Sequence, residues 1–345
     1  MFAQRAPSKM VDYLRDGLVG VDRLQYHGSG SFKTAINKRI NKIHLKGAAQ
    51  YVVFSPVTQR EFEDINKIRD AHYKGLRFMY ISGEGVLIIK LGATRVHELA
   101  HRVFVRCFEQ KLFQMGLDSE LEPIGATGFS GPGSEKEPDS ALIPTSRPFE
   151  TDWPTLVVEC GTSDSLARLR VDAQWWLENS AGDVKTAIVI SVSKPERSFH
   201  LEKWELADAP DPSDPSIFPP TITEEADIIG EKVHITAKGV TKTSFVIDFT
   251  KIMLRRPLAR HGEGNFTFSK EDLAGIAGRV WRNSIRRASN VRIIGPLPCA
   301  IVFTRISYYL RMQGYLRQSL SQPAMGFFSS DHGDSLAYED RGLYE

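Results

Sequence analysis

Apolar and polar positions alternate along this chain with two different periods, and the changes of period mark its elements. YVVFSP (51–56) reads as a short strand and TQREFEDINKIRDAH (58–72) as a helix. RFMYIS and GVLIIKLG then form a strand pair across Gly83-Glu84-Gly85. From about 94 to 116 the period becomes helical, with Val96, Leu99, Ala100, Val103, Phe104, Cys107, Phe108 and Leu112 on one stripe. LEPIGATGFSG and KEPDSALIP follow as strands joined by a Gly/Pro-rich turn. PTLVVECG is nearly continuous in apolar character, as a strand inside a sheet should be. SDSLARLRVDAQWWLENSAG opens on serine and closes on Gly182, which predicts a helix. DVKTAIVISVSKP and SFHLEKWEL add two strands, so the order is helix, three strands, crossover helix, strand.

Beyond this, DAPDPSDPSIFPP (208–220) reads as a connector, KVHITAKG and SFVIDFTKIML as a hairpin, and SKEDLAGIAGRVWRNSI as a helix capped by Ser269. The expected organisation is a basic region over 1–50, a core over 51–206, a connector to 220, an α+β extension over 221–330 and a disordered acidic tail over 331–345. In the first region GSGSFKT (28–34) departs from a phosphate loop, because Phe32 stands where glycine is required, and it reads as a flexible loop. INKRINKIHLKG (36–47) reads as a basic helix.

Composition narrows the class. With 41% hydrophobic and 25% charged residues the chain should bury a core, and its net charge of +2 favours no partner by itself. No apolar run approaches the ~18 residues of a membrane span. The start lacks an apolar signal region, and Cys107, Cys160 and Cys299 are too few and scattered for a disulfide framework. An intracellular protein, nuclear or cytoplasmic, is expected.

Two chemical constellations stand out. HELAH (97–101) has the His-Glu-x-x-His spacing of zinc proteases, in which His97 and His101 hold the ion and Glu98 is the base. Its extended form asks for glycine and histidine where Phe104 and Cys107 stand, and Asp118, Glu120 and Glu122, just before Pro123, lack the helical setting of a third ligand. The bland alternative has both histidines flanking a buried helix stripe. The second constellation is acidic. Asp139 lies in one predicted strand and Glu159 near the end of the next. Alternation puts Thr155, Val157 and Glu159 on one face, with Leu156, Val158 and Cys160 on the other. Two such carboxylates can hold Mg²⁺ or Mn²⁺, which lowers the pKa of a bound water and neutralises charge on a phosphate.

PDSALIP and WPTLVVECGTSDSLARLRVDAQWWLENSAGDVKTAIVISV resemble the PD-(D/E)XK nuclease-like superfamily. They resemble more closely a group of uncharacterised fungal proteins and a cyanobacterial family of proposed restriction endonucleases. The likeness spans about residues 90–206. It implies a mixed α/β, restriction-endonuclease-like αβββαβ core and Mg²⁺-dependent hydrolysis of nucleic acid, DNA rather than RNA. Carried over by position, Asp139 is the strand aspartate, Glu159 the acid of the motif strand and Glu98 the acid of the first core helix, all three as metal ligands. The motif lysine is replaced by Gly161. Arg170, then Gln174, then Lys185 are the candidate substitutes, and an arginine could only stabilise charge. Two alternatives stand beside the hydrolase: a catalytically degenerate nuclease-like module that binds DNA or protein, in which Glu159 pairs with Arg168 or Arg170, and the zinc protease. Between Arg279 and Arg317 the chain has eight arginines and no acid, with tyrosines interleaved. Arg279, Arg282, Arg286, Arg287 and Arg292 are therefore the candidate nucleic-acid contacts.

Overall fold

A computed structural model describes residues 13–46, 50–92 and 94–284. Arg286, Arg287, Arg292 and the acidic tail lie outside the described residues. The fold is mixed α+β and is built on two large sheets.

The first sheet begins with β1 (Arg23–Leu24), followed by α1 (Ser29–Lys46), β2 (Tyr51–Phe54), α2 (Gln59–His72), β3 (Leu76–Ile81) and β4 (Val86–Leu91). The GSGSFKT stretch is not a loop. Gly28 takes φ +91° and the helix starts at Ser29, because Phe32, Ile36 and Ile43 form a buried stripe that only a helix aligns. α2 carries a full capping box: the Thr58 hydroxyl accepts from the Glu61 amide while the Glu61 side chain accepts from the Thr58 amide. α1 and α2 cover one face of this sheet, packing Phe32, Ile36, Phe62 and Ile65 against Phe54, Phe78, Tyr80 and Leu87.

The next segment is α3 (Arg95–Gln114), then β5 (Leu121–Pro123), the hairpin of β6 (Phe129–Gly131) and β7 (Ser134–Lys136), β8 (Ser140–Pro144), β9 (Leu156–Thr162), α4 (Leu166–Asn179), β10 (Thr186–Ser193) and β11 (Ser198–Leu206). The β6–β7 hairpin is lent to the first sheet, whose strand order is β1-β2-β4-β3-β7-β6. Without it, α3-β5-β8-β9-α4-β10 is the expected αβββαβ order. β5, β8 and β9 pair antiparallel, and β9 and β10 pair parallel across the α4 crossover.

The second sheet does not stop at β11. Residues 207–219 form the loop to β12 (Pro220–Ile229), which pairs antiparallel with β11 along its whole length. The stretch read as a connector therefore joins neighbouring strands of one sheet. β13 (Lys232–Ala237) and β14 (Val240–Lys242) extend the sheet to the order β14-β13-β12-β11-β10-β9-β8-β5. The hairpin expected between KVHITAKG and SFVIDFTKIML is instead β13–β14, since Lys238 and Gly239 both take positive φ, as a two-residue hairpin turn requires. β15 (Ser244–Ile247) pairs with β16 (Phe266–Ser269), on either side of α5 (Phe249–Met253), and α6 (Lys270–Ser284) follows.

α4 lies between the sheets. Trp175, Trp176, Leu169 and Ala173 pack on Val157, Ala187 and Val189 from one sheet and on Tyr51, Met79 and Ile88 from the other. α3 and α6 cover the opposite face of the second sheet, through Phe104, Phe108, Ile276 and Val280 against Val158, Ile190 and Leu201. No helix among the described residues is long and apolar enough to cross a membrane.

The Ser269 cap supplies a test of the helix assignment. Its hydroxyl accepts from the Asp272 amide at 3.2 Å and the Asp272 carboxylate accepts from the Ser269 amide at 3.1 Å. Ser269→Ala should cost about 1 kcal/mol in urea unfolding with an unchanged denaturant slope. A variant as stable as the parent would show that the cap contributes nothing.

Candidate functional site

The β8–β9 register pairs Ser140 with Val158, so Asp139 falls beside Glu159 where the two strands meet the first sheet. Alternation along β9 runs as expected. Val157 faces the α4 side, and Leu156, Val158 and Cys160 lie in the core under α3. The two carboxylates do converge on one cation, and that cation belongs to the chain. Lys90, from β4 of the first sheet, places its Nζ 2.6 Å from Asp139 Oδ2 and 2.5 Å from Glu159 Oε2.

A second lysine completes the arrangement. Lys136 Nζ lies 3.0 Å from Glu159 Oε1 and 3.2 Å from Asp172 Oδ1, and Arg168 reaches the same Asp172 oxygen at 3.2 Å. Trp176 Nε1 donates to Glu159 Oε1 at 2.8 Å, the Cys160 amide to Asp139 Oδ2 at 2.7 Å, and the Tyr51 hydroxyl to Asp172 Oδ2 at 3.0 Å. Three acids thus face three bases, and the side chains of all six are at most 4% exposed. Burial pushes the Asp139 carboxyl up, but Lys90 and His97 overcome it and hold Asp139 well below the usual range. Burial likewise disfavours the Lys90 ammonium, and Asp139 and Glu159 reverse this, so Lys90 stays charged. Asp172 is held low by Lys136 and Arg168 against the same desolvation.

A hard divalent ion does not fit between Asp139 and Glu159 in this arrangement. Mg²⁺ asks for oxygen ligands at about 2.0–2.1 Å and keeps several waters. Here the space between the two carboxylates holds an ammonium, and three of their four oxygens are already engaged. The fourth, Asp139 Oδ1, accepts no hydrogen bond and has Arg77 Nε 3.9 Å away. Nor does Glu98 join them. The His97 ring stands between, with Nδ1 3.8 Å from Glu98 Oε1 and Nε2 3.4 Å from Asp139 Oδ2.

The substitutes considered for the motif lysine lie elsewhere. Gly161 is closely enclosed: a Cβ there would meet Leu169 at 3.0 Å and the Gln50 amide at 3.1 Å. Arg170 is not beside Glu159. It bonds Glu202 through Nε at 2.8 Å and through a terminal nitrogen at 2.5 Å. The reason is register: Glu159, Val189 and Glu202 form one row across β9, β10 and β11, and α4 points Arg170 at the far end of that row. Gln174 is half-buried one turn further along α4, and Lys185 donates to the Gly182 carbonyl at 2.5 Å. Arg279 approaches Cys107 Sγ at 3.4 Å, and Arg282 is exposed.

No family model matches the chain, and no curated protein matches it. Among solved structures it is similar to a crystal structure titled "putative nuclease belonging to DUF820" from Anabaena variabilis. The identity is 11%, over 58% of this chain and 90% of that one, with a TM-score of 0.33. So slight a likeness assigns no activity.

Lys90 and Lys136 were missed in the sequence, although a signal was present. GVLIIKLG carries a lone lysine in an otherwise apolar strand, and such a charge needs a buried partner. Removing it should be severe. Lys90→Met leaves two buried carboxylates facing each other, a change worth roughly 3–5 kcal/mol. The pH dependence gives the sign. Asp139 is depressed in the fold, so its contribution is present above the unfolded carboxylate pKa and is lost as pH falls through the lower folded value. In Lys90→Met that benefit disappears, and the stability gap between variant and parent should shrink as the pH is lowered below about 4. A gap independent of pH would refute the buried pairing.

Glu202 gives a further test. His200 is raised to about 9, first by its hydrogen bond to Glu202 and then, against desolvation, by Asp227. Its stabilisation should be complete below the unfolded value of 6.5 and lost as pH rises through about 9. NMR titration of His200 should give a midpoint near 9 that drops in Asp227→Asn; an ordinary midpoint near 6.5 would contradict the contact.

Proposed function

We propose that this chain is a nuclease-like module whose cleavage site has become an internal ion-pair core, and that it binds nucleic acid, DNA in preference to RNA, without hydrolysing it. The single observation that carries this reading is the Lys90 ammonium, held between Asp139 and Glu159 where a metal-dependent phosphodiesterase of the PD-(D/E)XK type would need its ion. Burial argues the same way, since a phosphodiester cannot approach carboxylates enclosed between two sheets and α4. The binding half rests on α1, where Lys38 and Lys42 are exposed one turn apart and no acid interrupts the helix. Such a face tracks phosphates without reading bases.

A second reading, an active Mg²⁺- or Mn²⁺-dependent nuclease, is favoured by one fact: both acids come within reach of a single cation. It requires Lys90 to leave and the two sheets to part. The zinc-protease reading loses support, because Glu98 stands between the two histidines, 3.8 Å from His97 Nδ1 and 3.6 Å from His101 Nε2, where a protease glutamate stays off the metal as base.

The full chain should bind duplex DNA with an affinity that falls steeply with salt, and Lys38→Glu with Lys42→Glu should weaken it by at least about 10-fold at moderate ionic strength. Supercoiled plasmid with Mg²⁺ or Mn²⁺ should remain intact. Metal-dependent nicking that disappears in Glu159→Gln would establish the second reading instead, and an absence of DNA binding would remove the first.

A further inference from the structure

HELAH holds a site that the ion-pair core does not use. His97, Glu98 and His101 lie in the first two turns of α3, and each offers a ligand atom, all within 4.8 Å of one another. His97 Nδ1 is 3.8 Å from Glu98 Oε1, and His101 Nε2 is 3.6 Å from Glu98 Oε2. These spans are too long for hydrogen bonds. They are close to the edge of a tetrahedron around an ion with bonds of about 2.0–2.2 Å, which is roughly 3.3–3.6 Å.

The outer nitrogens are already committed. His97 Nε2 meets the Cys160 carbonyl at 2.9 Å, so it carries a proton, and Nδ1 is turned to Glu98. Against burial, Asp139 and Glu98 raise the ring to about 9, so an ion bound at Nδ1 takes the place of a proton. His101 Nδ1 meets the Ser140 hydroxyl at 2.9 Å. Both inner nitrogens, His97 Nδ1 and His101 Nε2, are buried and have no hydrogen-bond partner. Two ring nitrogens and a carboxylate facing a common point make a position that a proton on His97 fills and that a metal ion can take over. The backbone passes close by: a Cβ at Gly92 would lie 3.3 Å from Glu98 Oε1 and from the His97 ring, and 3.0 Å from the Gly75 carbonyl. One competing cation is present, Arg102 Nε at 3.2 Å from Glu98 Oε2, but its side chain is 58% exposed and free to turn away.

We propose that His97 Nδ1, His101 Nε2 and Glu98 bind a first-row transition ion of the Zn²⁺ class, with the fourth position open to water or a small ligand. Imidazole and carboxylate together select such an ion over Mg²⁺. The arrangement differs from a zinc protease, in which the glutamate stays off the metal as base, and it stands or falls independently of DNA binding.

The test uses the full chain, stripped with chelator and titrated with Co²⁺ or Zn²⁺. One ion per chain should bind, Co²⁺ should show the intense visible bands of a low-coordinate site, and millimolar Mg²⁺ should not displace it. Glu98→Gln, conservative and on a half-exposed side chain, and His101→Ala, verified as folded by circular dichroism, should each weaken binding by about 10- to 100-fold or more. A folded protein that takes up no ion, or binding that survives intact in either variant, overturns the assignment.

Discussion

A single ammonium group holds the two halves of this protein in register. Lys90 extends from the first sheet into a pair of acids on the second, and neither sheet could bury its share of that charge alone. Isolated, each carboxylate or ammonium would cost several kcal/mol to desolvate; together, the bridge and its neighbours return most of it through short contacts in a medium of low dielectric. The gain is in specificity more than in net stability. An apolar contact tolerates sliding between layers, whereas a lysine between two fixed oxygens permits one placement.

The rest of the network follows from that placement. Once Glu159 gives one oxygen to Lys90, the other must be satisfied from the α4 side, where Trp176 and Lys136 supply it. Lys136 brings in Asp172, and Asp172 brings in Arg168 and Tyr51. α4 thereby lies between two sheets with charged groups on a helix that is otherwise packed by tryptophans and leucines. Every member has a charged or hydrogen-bonding neighbour in the cluster, although Asp139 Oδ1 accepts no hydrogen bond and Arg168 Nε donates none.

Period and capping made most of the skeleton legible. β9 shows how far this goes: the alternation of Val157 and Glu159 against Val158 and Cys160 assigns each residue to the face it takes in the fold. The errors came from partners distant in sequence. GSGSFKT looks like a loop until Phe32 and Ile36 are seen to meet the first sheet, and Arg170 looks like a helper for Glu159 until strand order puts Glu202 under it. Asp139 and Glu159 were found because strand pairing is local. Lys90 was not, because it reaches them across 49 and 69 residues from the opposite sheet, and no local pattern encodes that distance.

His97 connects the two clusters. Its ring reaches Asp139 with one nitrogen and Glu98 with the other, so the acids that a hydrolase would gather round one ion are split into two neighbourhoods. Asp139 and Glu159 are neutralised by lysine. Glu98 is left with two imidazoles, a softer donor set that suits a different class of cation. The αβββαβ order depends on strand pairing and helix packing, and neither fixes which charged groups meet where β8 and β9 approach the first sheet. Chemistry at a phosphate depends on which cation stands between two oxygens, and here a covalently attached one already does.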